Sequence, residues 1–233
     1  GLETGTEPAP FKVVETEKMF RLRRYFPDDL GEGSPNVILV PPMMVAANVY
    51  DVTEMHGAVS TLHRHGIIPW VIDFGSPDRE EGGMERTLTD HVLAISRVID
   101  LVTRVVGEDI HLAGYSQGGM FAYQTAAYRR SKGIASLITF GSPVDVTAAM
   151  PFGVPANLVV PGVELLGDKV FAKLWIPSWL ARTGFQMFDP VKTARSRIDF
   201  LRKLHDRDAL LPREDQRRFI EQEGWVAWSG PAV

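Results

Sequence analysis

The sequence contains no cysteine, which excludes disulfide bonds, thiolate metal sites and a cysteine nucleophile. Positive charge is not in excess either: 25 lysines and arginines stand against 29 aspartates and glutamates, a net charge of −4. Nucleic-acid-binding surfaces are basic, so we expect no nucleic-acid partner. No apolar run approaches the roughly 20 residues of a membrane-spanning helix. These absences favour a cytoplasmic protein, or one at the periphery of a membrane.

What is present is an alternation of apolar strand patterns with helical patterns. Residues 11–26 alternate in polarity and predict either one strand or two strands that form a hairpin. Residues 48–65, 88–106 and 117–131 have helical patterns, the second with apolar residues at steps of three and four. Short apolar runs that predict buried strands separate these helices, at residues 36–40, 67–74, 110–114 and 136–140. This order predicts the α/β class: a mostly parallel sheet with helices on both faces, whose chemistry lies at the carboxyl ends of the strands.

The alternation stops after Asp145, which divides the chain into two parts. Residues 1–146 predict the N-terminal part of an α/β core. Residues 147–233 predict a helical cap over the sheet, with helices over 190–204 and 212–223. The alternative is that these helices complete the core. Both ends of the sequence look cut, so we expect a core that is truncated at its C-terminus.

The segment Gly114-Tyr115-Ser116-Gln117-Gly118 fits the pattern Gly-x-Ser-x-Gly. A serine nucleophile is often presented on such a tight strand-to-helix turn, which needs very small residues two places on either side. An apolar strand pattern precedes the segment and a helical pattern follows it, so we predict that Ser116 is the nucleophile. The alternative is a glycine-rich turn that binds phosphate at a helix N-terminus.

An acyl-serine intermediate also needs backbone amides that stabilise an oxyanion. The residue after the nucleophile commonly supplies one, here Gln117. The second is predicted in the loop after residues 36–40. Pro41 and Pro42 have no N–H to donate, so we predict Met44, with Met43 as the next candidate. Both methionines could equally line an apolar pocket.

A serine nucleophile needs a histidine base and an acid that orients the histidine. His205 is the sole histidine after Ser116, and Asp145 follows the next strand pattern. We take both as candidate partners of Ser116, although a surface histidine and a turn-capping aspartate explain them as well. The pair His63 and His65 lacks clustered carboxylates, so we predict no metal site and no cofactor. The simplest solution is that the acid and the base follow residue 233.

These segments together resemble the α/β-hydrolase fold, in the branch of polyhydroxyalkanoate synthases and synthase-like lipases. The resemblance covers roughly residues 30–230. It is carried by VPPMMVAANVYDV, IIPWVIDFGSPDREEGG, DIHLAGYSQGGMFAYQTAAY, ITFGSPVD and LWIPSWLARTGFQMFDPVKT. The synthases of this branch use cysteine where this chain has Ser116. The sequence also resembles the hydrolase part of actinobacterial bifunctional proteins that join a lipase-like domain to a long-chain acyl-CoA synthetase, which implies such a fusion partner.

The resemblance implies an enzyme: a lipase, esterase or acyltransferase that acts on long-chain acyl esters or thioesters through an acyl-serine. An oxygen ester is less suited than a thioester to repeated chain transfer, so Ser116 favours hydrolysis or a single transfer. Two alternatives stay open. One is a degenerate lipid-binding or docking domain. The other is acyl transfer of the polyhydroxyalkanoate synthase kind from an acyl-CoA, whose phosphates could meet Arg213, Arg217 and Arg218.

Overall fold

The structure is a computed structural model that describes residues 7–29, 31, 33–55, 57–145, 202, 206–219, 224–227, 229 and 231. Short 3-10 helices cover Ala47–Tyr50 and Gly83–Glu85. Six strands are described: β1 (Phe11–Glu17), β2 (Phe20–Tyr25), β3 (Asn36–Val40), β4 (Ile68–Asp73), β5 (Ile110–Tyr115) and β6 (Ile134–Phe140). The α-helices described are α1 (Ala58–Arg64), α2 (Leu88–Val106), α3 (Gln117–Arg129) and α4 (Arg207–Arg218).

The six strands form one sheet in the order β1-β2-β4-β3-β5-β6. Strands β4, β3, β5 and β6 are parallel to their neighbours in this group, whereas β2 is antiparallel to both β1 and β4. The predicted hairpin over residues 11–26 is therefore confirmed, and so is the predicted mostly parallel α/β sheet. The carboxyl ends of β3 and β5 lie side by side at one edge, because these two strands are paired in parallel.

Helices cover both faces of the sheet, as predicted. Successive side chains of a strand point to opposite faces, and β3 shows the division. Ile38 and Val40 belong to an apolar cluster that includes buried residues of α2 and α3, such as Ile95 and Phe121. Val37 and Leu39 belong to a second cluster on the other face, together with Val59 of α1 and its neighbours. Strand β3 is consequently buried along its whole length.

Strand β6 differs from the expectation of a strand covered on both faces. It pairs with β5 on one side and forms the edge of the described sheet. Its apolar residues Leu137, Ile138 and Phe140 are exposed. The apolar pattern is the same as that of β3, so the pattern alone did not distinguish a central strand from an edge strand.

Helix α2 has the bounds that the sequence predicts, because local signals fix both of its ends. The Thr87 side chain accepts from the Asp90 backbone N–H at 3.2 Å, and the Asp90 carboxylate accepts from the Thr87 N–H at 2.7 Å. This reciprocal capping box satisfies amides that an α-helix leaves without partners. The first helical region is shorter than the predicted 48–65. Between the 3-10 helix and α1 the described residues 51–55 and 57 are non-helical, and buried Asp51 accepts from the Ala9 N–H at 2.9 Å.

The C-terminal part of the chain is described in pieces. Helix α4 begins before the predicted helix over 212–223, so Pro212 lies inside it. Apart from residue 202, the predicted helix over 190–204 falls outside the described residues, as do most of the predicted cap and His205. The division at residue 146 therefore stays a prediction. Within the described part of the chain, no helix combines the length and apolarity that crossing a bilayer requires.

Candidate active site

Ser116 occupies a sharp turn between a central strand and a helix. It directly follows Tyr115, the last residue of β5, and precedes Gln117, the first residue of α3. Its backbone has φ 54° and ψ −123°. Positive φ is strained for a residue with a side chain, and such strain persists only where the surrounding structure imposes it. Ser116 is thus held in the backbone geometry that the predicted nucleophile turn requires.

The glycines around Ser116 allow β5, α3 and the end of β3 to approach closely. A Cβ on Gly114 would collide with the Gly118 backbone, with the Gly119 nitrogen only 2.5 Å away. A Cβ on Gly118 would collide with the Val40 carbonyl oxygen and lie 2.8 Å from the Pro41 carbonyl carbon. Helix α3 therefore begins directly against the loop that follows β3.

This contact brings two of the predicted elements to one edge of the sheet. Val40 pairs with Gly114 at the end of the β3–β5 ladder, so the chain after each strand leaves from the same place. On one side lies the Gln117 amide, which has no intrahelical acceptor because it is the first amide of α3. On the other side lies the loop with Met43, which is buried, and Met44, which has φ 57°.

A pocket lies between the loop after β3 and the loop after β4. Apolar side chains dominate the lining of this pocket. Ser116 is not a lining residue, but the loop after β3, with Pro41 to Met44, is shared by the pocket and the candidate site. The lining residues are Pro41, Pro42, Met43, Met44, Val45, Ala47, Asp73, Phe74, Gly75, Pro77, Arg86, His91 and Val226. Met43 and Met44 thus line an apolar pocket, in agreement with the alternative interpretation of these residues.

A C-terminal segment, residues 224–226, pairs with the loop after β3. The Val226 N–H donates to the Met44 carbonyl at 3.0 Å, and the Ala46 N–H donates to the Gly224 carbonyl at 3.0 Å. Between these bonds Val45 and Trp225 form an antiparallel bridge. This pairing could not be predicted, because residues 224–226 carry no strand pattern of their own. The pairing fixes the carbonyl side of Met44 and leaves its amide outside the ladder.

The two charged residues that line the pocket, Arg86 and Asp73, make hydrogen bonds and an ion pair with neighbouring residues. Buried Arg86 donates to the carbonyls of Phe74, at 2.6 Å, and Lys18, at 3.2 Å. Burial lowers the pKa of its guanidinium. Asp73 pairs with Arg23 at 2.5 Å and accepts from the Gly75 N–H at 2.9 Å. These contacts hold the loop after β4 in place, so we assign both residues to the architecture of the pocket.

His91 is buried in the first turn of α2, at the same edge of the sheet. Its Nδ1 lies 2.8 Å from the Thr87 carbonyl oxygen, which can only accept, so Nδ1 carries the proton. The imidazole stacks on Phe121, with ring centroids 4.9 Å apart, and packs edge-on against Phe74. Burial lowers the pKa of His91. The side chain is therefore neutral at pH 7, with Nε2 as an acceptor.

Protonation of His91 is expected to destabilise the fold. Its pKa is lower in the folded state than in the unfolded chain, so the unfolded state binds the extra proton as the pH falls through about 6.5. We expect the free energy of unfolding to fall between pH 7.5 and 5.5, with a slope of at most about 1.4 kcal/mol per pH unit from this group. Urea denaturation of the wild type and of His91→Gln, at pH 7.5 and at pH 5.5, measures this change in the free energy of unfolding. An equal pH dependence in the variant would refute the assignment.

The predicted acid and base are not assembled by the described residues. Asp145 is exposed and follows β6, at the same edge of the sheet as Ser116. His205 lies outside the described residues. The described histidines have other contacts: His63 stacks on Phe26, and His111 bonds Ser136 at 2.7 Å. None of them is hydrogen-bonded to Ser116, and the described residues include no cluster of side chains that could hold a metal ion.

Comparison with known proteins finds similarity among solved structures alone. No family model matches the sequence, and no curated protein matches it. The chain is 18% identical to a monoacylglycerol lipase from Paleococcus ferrophilus, with a TM-score of 0.47 over 86% of this chain and 65% of that one. It is 14% identical to a soluble variant of monoglyceride lipase from Saccharomyces cerevisiae, with a TM-score of 0.48 over 76% of this chain and 56% of that one. For the thioesterase domain from the curacin biosynthetic pathway, the identity is 17%, the TM-score 0.45 and the coverage 78% and 60%. In each case the match spans less than two thirds of the other chain.

Proposed function

We propose that this protein is a serine hydrolase or acyltransferase of the α/β-hydrolase fold that acts on acyl esters or thioesters of lipids. The observation that carries the proposal is the backbone of Ser116, with φ 54°, at the turn between β5 and α3. Ser116 has a strained backbone and lies at the carboxyl edge of a parallel sheet, and the glycines beside it stand where there is no room for a Cβ. This geometry exposes a nucleophilic hydroxyl.

The proposed reaction has two steps, formation of an acyl-serine and its release. Ser116 Oγ attacks the acyl carbonyl carbon while its proton passes to a histidine base. The tetrahedral intermediate collapses, the bond from the acyl carbon to the leaving oxygen or sulfur breaks, and the alcohol or thiol departs with that proton. Water or a second alcohol then attacks the acyl-serine in the same manner. His205 and Asp145 are our candidates for the base and its orienting acid.

In the proposed site, the amides of Gln117 and Met44, with Met43 as the next candidate, stabilise the oxyanion. The supporting contact is that of Gly118 with Val40 and Pro41, which sets the start of α3 against the loop after β3. Such donors act on charge that develops in the transition state, so they raise kcat more than they lower KM. The apolar side chains beside this loop favour an acyl group over a polar substrate.

A second candidate function is a lipid-binding domain without catalysis. The observation that favours it is the lack of a hydrogen bond between Ser116 and any histidine of the described residues. Such a domain would retain the pocket and lose the chemistry. Fusion to a long-chain acyl-CoA synthetase and polymer synthesis from acyl-CoA are further proposals, which rest on the resemblance of the sequence segments.

Labelling with a fluorophosphonate probe separates the two candidates. We expect the native full-length protein to acquire one covalent adduct, mapped by mass spectrometry to the peptide that contains Ser116. Heat-denatured protein is the control, because the reactivity depends on the folded turn. Competition by p-nitrophenyl esters of increasing chain length then ranks the acyl groups. Absence of the adduct, together with saturable binding of a fluorescent fatty acid, would favour the binding domain and refute the enzyme.

A further inference from the structure

The hydroxyl of Tyr50 links the ends of two strands. It donates to the Val40 carbonyl at 2.6 Å and accepts from the Tyr115 backbone N–H at 3.0 Å. Val40 is the last residue of β3, and Tyr115 is the last residue of β5. The Tyr50 side chain is buried, with 5% of its surface exposed. One buried hydroxyl thus connects the two strand ends at the edge where the candidate site lies.

This bridge stands where direct pairing of the two strands stops. The last paired residues of the β3–β5 ladder are Val40 and Gly114. Beyond them α3 enters, with Gly118 against the Val40 carbonyl oxygen. A hydroxyl supplies one donor and also accepts, so it can satisfy a carbonyl and an amide that no longer bond each other directly. The strands are therefore tied together at their last residues.

The residues that follow the bridge are those of the proposed chemistry. Ser116 comes directly after Tyr115, and the loop with Met43 and Met44 follows Val40 after the two prolines. Oxyanion donors must lie about 2.7–3.1 Å from the developing charge. The proposed donors belong to two separate strands, so the spacing between the strand ends decides whether both reach the same oxygen.

We infer that Tyr50 is a positioning residue that sets the distance between Ser116 and the loop with Met43 and Met44. The inference rests on the proposed function and adds to it a residue that touches neither the substrate nor the reacting atoms. It acts through the backbone of Val40 and Tyr115.

The surroundings of Tyr50 hold its ring in place independently of the hydroxyl. The ring belongs to the apolar cluster with Val37, Leu39 and Ala113. Its 3-10 helix is anchored by Asn48, whose side-chain oxygen accepts from Arg23 at 2.7 Å. Burial raises the pKa of Tyr50, so the hydroxyl keeps its proton and remains a donor at neutral pH. Removal of the hydroxyl oxygen alone should therefore delete the two hydrogen bonds and leave the ring in place.

The test is Tyr50→Phe, with Tyr25→Phe as the matched control. Tyr25 is a buried tyrosine of the same cluster, and its hydroxyl makes no hydrogen bond to β3 or β5 among the described residues. We expect Tyr50→Phe to lower kcat for an acyl ester by about 10- to 100-fold with KM changed less than about twofold, since a misplacement of about 1 Å can cost 10²-fold. The rate of fluorophosphonate labelling should fall by the same factor, and Tyr25→Phe should keep both rates.

The outcomes separate this inference from the proposed function. A wild type that neither hydrolyses esters nor reacts with the probe refutes the proposed function and the inference with it. An active wild type with an equally active Tyr50→Phe refutes the inference alone, as does a rise in KM at constant kcat. Loss of folding in Tyr50→Phe is handled by adding trimethylamine oxide, which favours the folded state. If the osmolyte restores both fold and kcat, the role is structural and the inference is wrong; if it restores the fold without kcat, the inference is supported.

Discussion

Ser116→Ala is expected to lower kcat for the proposed acyl-ester hydrolysis by about four to six powers of ten, the range found when one member of a catalytic triad is removed. The reason is that the hydroxyl oxygen is the atom that bonds the acyl carbon in the proposed reaction. Removal of that oxygen leaves the pocket and the amide donors, so binding of the substrate should change little. Steady-state kinetics with a p-nitrophenyl ester measures the effect, and fluorophosphonate labelling should disappear with it.

Ser116→Gly adds a second measurement at the same position. Glycine adopts positive φ at little cost, whereas alanine retains the strain of the turn at φ 54°. We therefore expect both variants to be inactive, with the glycine variant more stable than the alanine variant by about 1 kcal/mol. Equal free energies of unfolding would contradict the claim that the backbone at this residue is strained.

The control for both variants is Ser142→Ala. Ser142 lies just after β6, at the same edge of the sheet, and is partly buried like Ser116. It is not among the residues with positive φ. We expect this variant to keep its activity to within about twofold, as most substitutions outside the chemical machinery do not affect the transition state. If Ser142→Ala is inactive and Ser116→Ala is active, the nucleophile has been assigned wrongly.

Gly118→Ala is expected to lower the free energy of unfolding by about 3 kcal/mol, the upper part of the range for overpacked interiors. The added methyl group would collide with the Val40 carbonyl oxygen, and it would lie 2.8 and 2.9 Å from the carbonyl carbon and oxygen of Pro41. All of these atoms belong to the backbone, so no flexible side chain can move aside. Helix α3 or the loop after β3 must shift instead, and the proposed oxyanion donors would separate.

The same substitution at Gly31 is the matched control. A Cβ there meets nothing within 4 Å, and Gly31 is not among the glycines with positive φ. Urea denaturation monitored by circular dichroism should show a lower midpoint for Gly118→Ala and an unchanged one for Gly31→Ala. We also expect Gly118→Ala to lose most of its activity under conditions in which it is folded. A stable and fully active Gly118→Ala would mean that α3 does not start against β3.

Features with local causes could be predicted from the sequence. The bounds of α2 follow from the Thr87–Asp90 capping box and from Gly107, all of which lie at the ends of the helix. The turn at Ser116 follows from an apolar strand, small residues and a helical pattern in immediate succession. Its role as nucleophile, the roles of Gln117, Met43 and Met44, and the partnership of Asp145 and His205 stay predictions.

Features that depend on distant residues could not be predicted. The order of the strands places β4 between β2 and β3, which no local pattern specifies. The bridge through Tyr50 needs the end of β3, the 3-10 helix and the end of β5 to meet, so the residue looked like part of an ordinary helix. The exposed face of β6 likewise depends on its place in the sheet rather than on its composition.

The pairing of Val45 with Trp225 has a consequence for the order in which the protein acquires its structure. These partners lie farther apart in the sequence than any two paired residues of the sheet, so the entropy lost in joining them is larger. During refolding we expect the sheet to assemble first and this contact to form late. A nascent chain on the ribosome would thus carry a nearly finished sheet whose Met43–Met44 loop is not yet paired with residues 224–226. The proposed ester hydrolysis should then be the last property to appear.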